Sequence, residues 1–202
     1  MTKTNLIVSR RIRVTRVVAV AYLFLLLVTQ SAYKGNLISA LLFFCGLILV
    51  ITATVGRMWC GLYISGYKSR ELVVMGPYSM MRHPLYFFSL LGVAGIGFAT
   101  GTFSIGLGNI LAFAVTYPFV IRHEEARLRA AFGQTFAEYC QRTPRFWPNP
   151  RLLNEPETYV VRPRVLRRAA GDTLWFIAII GLIKLVEVLH QHHVIEPLIR
   201  LP

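Results

Sequence analysis

Charged residues are scarce in this chain. Only 15% of its 202 residues are Asp, Glu, Lys or Arg, whereas an average soluble domain has about 25%. Apolar residues make up 55% of the chain, and its mean hydropathy is +0.54. This composition excludes an ordinary soluble domain and indicates a membrane protein.

Acidic residues are the scarcest of the charged types. The chain has 9 Asp and Glu but 22 Lys and Arg, which gives a net charge of +13. A basic balance of this size can indicate nucleic-acid binding. Here the basic residues share the chain with long uncharged runs, which is typical of the cytoplasmic loops of a membrane protein. We therefore predict a membrane environment and no nucleic-acid partner.

Cysteine is also rare, and its positions exclude two kinds of site. The three cysteines are Cys45, Cys60 and Cys140, and no two have the spacing of a redox or zinc-binding pair. The histidines at 190, 192 and 193 resemble a metal-binding tract but lack a carboxylate at a fixed spacing. We predict neither a disulfide framework nor a metal site.

Long apolar runs dominate the sequence, and five of them approach the roughly 20 residues that a helix needs to cross a bilayer. They cover residues 17–33, 37–56, 85–100, 103–121 and 174–189. The fifth run contains Lys184 and Glu187 one helical turn apart, so a helix on the membrane surface is an alternative to a fifth span. The pattern predicts an all-α integral membrane protein with about five transmembrane helices.

The positions of the basic residues predict the orientation. All but Lys34, Lys184 and Arg200 lie in the N-terminal tail or within residues 57–82 and 122–168. The positive-inside rule places these segments in the cytoplasm, for an inner or plasma membrane protein. We divide the chain into a tail and first hairpin (1–56), a core (57–150), and a basic segment with a C-terminal membrane helix (151–202).

The polar segment before the third span ends in Arg82, His83 and Pro84. Proline suits the first turn of a helix, so Arg82 and His83 are expected at the cytoplasmic mouth of that span. Taken alone, this pattern is also explained by an arginine that anchors the helix to lipid headgroups.

A second polar segment follows the fourth span and contains the adjacent acids Glu124 and Glu125. The helix is expected to bend or open at Pro118 and to stop near Gly133. On spacing alone, Glu125 can pair with Arg129 on a solvated helix face.

In combination, these segments resemble the isoprenylcysteine carboxyl methyltransferase family, part of a wider group of integral-membrane methyltransferases that includes phospholipid methyltransferases. The resemblance covers roughly residues 57–148. Its motifs are Gly76-Pro77-Tyr78, Arg82-His83-Pro84-Leu85-Tyr86, Glu124-Glu125, and residues 128–139, which end in Tyr139.

The resemblance implies a cytoplasm-facing pocket for S-adenosylmethionine, open laterally to the bilayer. The residues that match its cofactor motifs are Arg82, His83, Pro84, Tyr86, Glu124, Glu125 and Tyr139. Carboxylates suit the ribose diol or the ammonium group of the cofactor, aromatic faces suit its sulfonium, and arginine suits its carboxylate. Of the two acids, we expect Glu125 to matter more, because it shares a helix face with Leu128 and Phe132.

The acceptor is expected to be a lipophilic small molecule or a lipid. A carboxylate acceptor needs no general base but needs an arginine to hold it, and the candidates are Arg57, Arg142 and Arg145. An amine acceptor needs a base, which would be Glu124, Glu125 or His83. We expect O-methylation of a carboxylate. Methylation of a phospholipid or another amine, and a non-catalytic lipid-binding scaffold of the same fold, are the alternatives.

Overall fold

The computed structural model describes residue 17, residues 19–64 and residues 71–202. The predicted orientation also used the basic residues of the N-terminal tail and those within residues 65–70. Both groups lie outside the described residues.

Helices make up most of the described chain, and the predicted all-α membrane fold is confirmed. The helices are α1 (Ala19–Val28), α2 (Leu37–Ile64), α3 (Pro77–Met80), α4 (Pro84–Phe98), α5 (Phe103–Arg142) and α6 (Pro163–Gln191). A 3-10 turn covers Pro150–Leu152, and two short strands are β1 (Thr29–Ser31) and β2 (Ile199–Leu201). By length and composition, α2, α5 and the part of α6 from Thr173 can each cross a membrane, whereas α1 and α4 are shorter apolar helices.

Helix α4 lies at the centre of the bundle and packs against α2, α5 and α6. Glycines make the approach to α2 close, because a Cβ atom added at Gly46 would lie 2.5 Å from the backbone nitrogen of Ala99. On the other side, a Cβ atom at Gly97 would lie 2.6 Å from the Cα of Gly106 in α5. These contacts hold the C-terminal end of α4 between α2 and α5.

The first predicted span, 17–33, is wrong at its C-terminal end. The helix stops at Val28, and Thr29–Ser31 pairs in parallel with Ile199–Leu201. The Thr29 hydroxyl donates to the carbonyl of Leu25 as the helix ends. The partner strand lies about 170 residues further along the chain, so the local apolar pattern carries no signal for this pairing.

The second predicted span, 37–56, ends too early. Helix α2 continues to Ile64, because residues 57–64 contain no proline and are mostly apolar or aromatic. Arg57 therefore lies inside a helix and not in the connection that follows it.

Helix α6 runs antiparallel to α2 along the bundle, which supports a fifth span over a surface helix. Its Phe176 ring lies beside Arg57 of α2, and its Lys184 Nζ lies 3.8 Å from the ring centre of Phe43, nearer the start of α2. Lys184 also pairs with Glu187 at 2.6 Å. This ion pair reduces the cost of placing two charges in an apolar helix.

Helix α5 keeps helical backbone angles through Pro118, so the expected local opening there does not occur. Its break is at Gly133, where φ is +48° and the chain changes direction before continuing to Arg142. This break returns the last turns of α5 toward α3 and places Tyr139 against it.

Candidate active site

The predicted motifs meet at the end of the bundle where α4 begins. His83 occupies the N-cap position of α4, its side chain is 3% exposed, and Pro84 opens the helix. The segment after α5 closes over this end, because the backbone N–H of Arg82 donates to the carbonyl of Pro144 at 2.8 Å. The Arg82 Nε also donates to the carbonyl of Thr143 at 3.0 Å.

The Glu125 carboxylate is the centre of a network of basic side chains. Its Oε1 accepts from Arg82 Nη1 at 3.0 Å and lies 3.1 Å from His83 Nε2. Arg145 donates to both oxygens, from Nε at 3.1 Å and from Nη2 at 2.8 Å. Burial alone would raise the pKa of Glu125, but the hydrogen bonds from His83 and Arg145 outweigh it and lower the pKa below its usual value. These partners replace the Glu125–Arg129 pair that the spacing allowed.

Glu124 points to a different set of groups. Its Oε2 lies 3.7 Å from His83 Nδ1 and its Oε1 lies 3.9 Å from Arg127 Nη2. The Tyr86 hydroxyl hydrogen-bonds to the same carboxylate, and the Tyr86 ring stacks on His83 with centroids 5.8 Å apart. The Glu124 side chain is 25% exposed, against 14% for Glu125. Glu124 is therefore the more accessible of the two acids.

A cavity of about 190 Å³ opens beside Glu124. Five of the predicted cofactor residues line it, and Tyr78 does so too: Tyr78, Arg82, His83, Tyr86, Glu124 and Tyr139. The other two predicted cofactor residues are not in its wall. Pro84 is buried at the start of α4, and Glu125 lies behind His83 and Arg82.

Tyr78 is a candidate that the sequence reasoning quoted in a motif without assigning it a role. Its buried hydroxyl has no hydrogen-bond partner among the described residues. Burial raises the pKa of Tyr78 well above its usual value, so the group stays a neutral donor. The signal for it was the Gly-Pro-Tyr turn, in which Gly76 has φ +58° and a Cβ atom would meet the Tyr63 ring at 2.4 Å.

Tyr139, in the last turns of α5, contacts the Gly-Pro-Tyr turn that carries Tyr78. Its hydroxyl donates to the backbone carbonyl of Tyr78 at 2.7 Å. Burial raises the pKa of Tyr139, which keeps the phenol protonated as this donor requires. The downstream tyrosine of the motif thus holds Tyr78 in place as well as lining the cavity.

The structure does not bring the three candidate acceptor arginines together. Arg145 is bound to Glu125, and Arg142 lines a separate cavity of about 200 Å³ with Met75 and Thr143. Arg57 lies inside the bundle, where its Nη1 donates to the Ser89 hydroxyl.

The histidine tract lies at the opposite end of the bundle. His190 Nε2 lies 2.9 Å from the carbonyl of Leu27. Among the side chains that the structure describes, no three or more His, Cys, Asp or Glu form a group that could hold a metal ion.

Residues 35–135 match the family model described as phospholipid methyltransferase. The chain is 40% identical to the cobalt-zinc-cadmium resistance protein CzcN of Cupriavidus metallidurans, with 98% of this chain and 91% of that protein covered. It is 38% identical to the nickel-cobalt-cadmium resistance protein NccN of Alcaligenes xylosoxydans xylosoxydans, with 98% and 92% covered. No solved structure matches the chain.

The network around Glu125 predicts a measurable contribution to stability. Hydrogen bonds to charged groups contribute about 1.5–3 kcal/mol each when they are lost. Glu125→Gln should therefore lower the free energy of unfolding in detergent by at least this amount at neutral pH. Glu138→Gln is the matched control, because Glu138 is a carboxylate of the same helix whose described contact is an exposed one with Gln134.

The same network determines how the stability difference between the wild type and Glu125→Gln depends on pH. Because folding lowers the pKa of Glu125, its stabilisation is complete above the unfolded-state pKa and is lost as the pH falls through the folded-state pKa. The stability difference between wild type and Glu125→Gln should therefore shrink in acid. Equal stability of the two proteins at neutral pH would contradict the role given to this carboxylate.

Proposed function

Because the chain belongs to the phospholipid methyltransferase family, we propose that it transfers a methyl group from S-adenosylmethionine to a lipophilic acceptor in the membrane. The observation that carries the proposal is the cavity at the start of α4. A carboxylate, an imidazole and an unpartnered buried phenol line it together. All the residues that line this cavity belong to the segment that we predicted as the core, residues 57–150.

The chemistry of this cavity fits the cofactor. Tyr78 is part of the cavity wall, and its buried hydroxyl has no hydrogen-bond partner among the described residues. Glu124 supplies a negative charge for the ammonium group or the ribose hydroxyls, and the rings of Tyr78 and Tyr86 supply aromatic faces. When bound, S-adenosylmethionine supplies a methyl group whose bond to sulfur breaks with the electron pair left on sulfur.

The two acids have different proposed roles. Glu124 contacts the cofactor directly, since it lines the cavity. Glu125 is a positioning residue, since its oxygens are engaged by Arg82, His83 and Arg145. This assignment revises the expectation that Glu125 contributes more to cofactor binding, although Glu125 is the more buried acid.

Methylation of a carboxylate oxygen is the reaction that we favour. A carboxylate is already a nucleophile, so the protein only has to align it and exclude water. Two of the candidate bases, His83 and Glu125, are engaged with each other, and Glu125 also accepts from two arginines. The second candidate is N-methylation of a phospholipid amine, which the description of the family favours. In that reaction Glu124 is the acid placed to accept the proton.

Glu124→Gln tests the cofactor assignment. The variant keeps the size of the side chain and loses a charge-assisted hydrogen bond of about 1.5–3 kcal/mol, or roughly 10- to 150-fold in affinity. The affinity for S-adenosylhomocysteine can be measured by titrating the thermal shift of the purified protein in detergent. Glu138→Gln should bind like the wild type.

The thermal shifts of the wild type and of Glu124→Gln distinguish the competing functions. No shift of the wild-type protein would favour a non-catalytic scaffold. A wild-type shift that Glu124→Gln leaves unchanged would remove Glu124 from the cofactor site.

We place the candidate active site on the cytoplasmic side of an inner or plasma membrane. Arg82 and Arg145 lie at its end of the bundle. Arg151 lies there too, in the 3-10 turn that follows Asn149, whose N–H donates to the carbonyl of Met80. The turn with Lys34 lies at the opposite end. With Cys45, Cys60 and Cys140 replaced by alanine, an impermeant thiol reagent should label Lys34→Cys in intact cells and Arg151→Cys only after lysis. Labelling of both variants in intact cells would contradict this orientation.

We also propose that the chain contributes to metal tolerance, the role that the relatives' names carry, through methylation of a membrane component. In cells without another copy, Glu124→Gln should then reduce growth on cobalt or cadmium relative to the wild type, and Glu138→Gln should not. Unchanged growth of a Glu124→Gln variant that no longer binds the cofactor would contradict the link.

A further inference from the structure

A second cavity lies at the end of the bundle opposite the candidate active site. Its volume is about 460 Å³, against about 190 Å³ for the cavity beside Glu124. Phe43 of α2 lines the second cavity, whereas Ile64, at the other end of α2, lines the cavity beside Glu124. With a rise of about 1.5 Å per residue, these two positions of α2 are roughly 30 Å apart. The two cavities are therefore separate sites.

The early end of α4 creates the space for this second cavity. A Cβ atom added at Gly46 would lie 2.5 Å from the backbone nitrogen of Ala99, the residue that follows α4. Because Gly46 lies well inside α2, which begins at Leu37, α4 ends about 13 Å short of the start of α2. The space beyond this end is enclosed by α2, the last turns of α6, β1 and the turn between α4 and α5. Every residue that lines it belongs to the part of the chain that the structure describes.

An ion pair of α6 forms the charged part of the cavity wall. Lys184 and Glu187 both line the cavity, and Lys184 Nζ lies 2.6 Å from Glu187 Oε2. The Phe43 ring covers another side of the ammonium group, with its centre 3.8 Å from Nζ. The two charged side chains are still 44% and 39% exposed. An ammonium group has three N–H donors, so Lys184 has donors left for a ligand in the cavity.

The rest of the wall combines apolar groups with a second cation. Leu26, Phe44, Ile105 and Ile183 supply apolar surface. Lys34, an exposed residue of the turn before α2, also lines the cavity. The volume lies within the range of about 300–1,000 Å³ that is typical of ligand sites. A wall of this composition suits an amphiphile, in which a charged headgroup is joined to hydrocarbon chains.

We propose that this cavity binds the headgroup of a phospholipid. The ammonium groups of Lys184 and Lys34 bind its phosphate by charge-assisted hydrogen bonds. Glu187 is placed to bind an amine where the headgroup carries one, and the acyl chains run along the apolar wall at Phe44, which is 58% exposed. This lipid is distinct from the methyl acceptor, because its site lies at the other end of the bundle. The inference does not rest on the proposed function.

Thermal-shift titrations of the full-length protein in detergent test the proposal. The probes are dioleoyl phosphatidylethanolamine, dioleoyl phosphatidylglycerol, dioleoylglycerol and sn-glycerol 3-phosphate. At least one of the two phospholipids should stabilise the wild type more than dioleoylglycerol, which lacks a phosphate. A larger effect of phosphatidylethanolamine would support the contact of Glu187 with the amine, and a larger effect of phosphatidylglycerol would support recognition of the phosphate alone. A response to glycerol 3-phosphate without a response to either phospholipid would overturn the assignment to a lipid.

Ala40→Trp tests whether the lipid occupies the cavity. Ala40 lines the cavity and is exposed, so the larger side chain can enter the space without displacing buried residues. The variant should bind the stabilising phospholipid at least tenfold more weakly than the wild type. Leu41→Trp is the matched control, because Leu41 is the next residue of α2, is 54% exposed and does not line the cavity. It should bind like the wild type.

A double variant, Lys184→Met with Glu187→Gln, tests the charged part of the wall. It removes both charges together, so neither is left without its partner in an apolar helix, and it leaves the net charge unchanged. It should also bind the phospholipid at least tenfold more weakly. Arg200→Met is the matched control, because Arg200 is an exposed basic residue of β2 that does not line the cavity.

The outcomes distinguish this inference from the proposed function. Wild-type shifts no larger with either phospholipid than with dioleoylglycerol would overturn it, and so would wild-type affinity in Ala40→Trp or in the double variant. Glu124→Gln should keep the phospholipid response, because Glu124 lines the other cavity. Loss of that response would place the lipid in the candidate active site and overturn the inference. Failure to bind S-adenosylhomocysteine would overturn the methyltransferase proposal and not this one.

Discussion

The carboxylate of Glu125 is the interaction on which the site depends. It joins Arg82 and His83 at the start of α4 to Arg145 in the segment that follows α5. These groups are 43, 42 and 20 residues from Glu125 in the chain. One buried acid thereby fixes the entrance of the bundle, the helix that carries both acids and the segment that closes over them. Without it, the guanidinium groups of Arg82 and Arg145 would lie close together with no carboxylate between them.

Three of the scarce acids have clear structural roles. Glu125 neutralises the entrance, and Glu187 neutralises Lys184 within α6. Glu124, beside His83 and Tyr86, leaves a negative wall on the cavity. Arg57 has no such partner among the described residues. The described acids therefore leave a negatively charged cavity at the end of the bundle where α4 begins.

The close packing of α2 and α4 fixes the positions of the groups along α4 relative to α2. Glycines at 46 and 95 bring α2 and α4 to a distance at which no Cβ atom fits between their backbones. His83 at the start of α4 and Ser89 further along it are then held at fixed depths relative to Arg57. The contact of Arg57 with Ser89 thus links α2 to the helix that begins at the cavity.

The sequence alone determined the membrane class, the approximate helices and five of the residues that line the cavity, because apolar runs and the order of local motifs are properties of adjacent residues. It did not determine the strand pairing of Thr29 with Ile199 or the length of α2 beyond Gly56. It also did not show that Glu125 faces three basic groups while Glu124 faces the cavity. Only the tertiary structure decided these points, and it left the Tyr78 hydroxyl and Arg57 Nε buried without hydrogen-bond partners among the described residues. The physical reason is that each depends on groups distant in the chain, whose meeting is set by helix packing and not by local pattern.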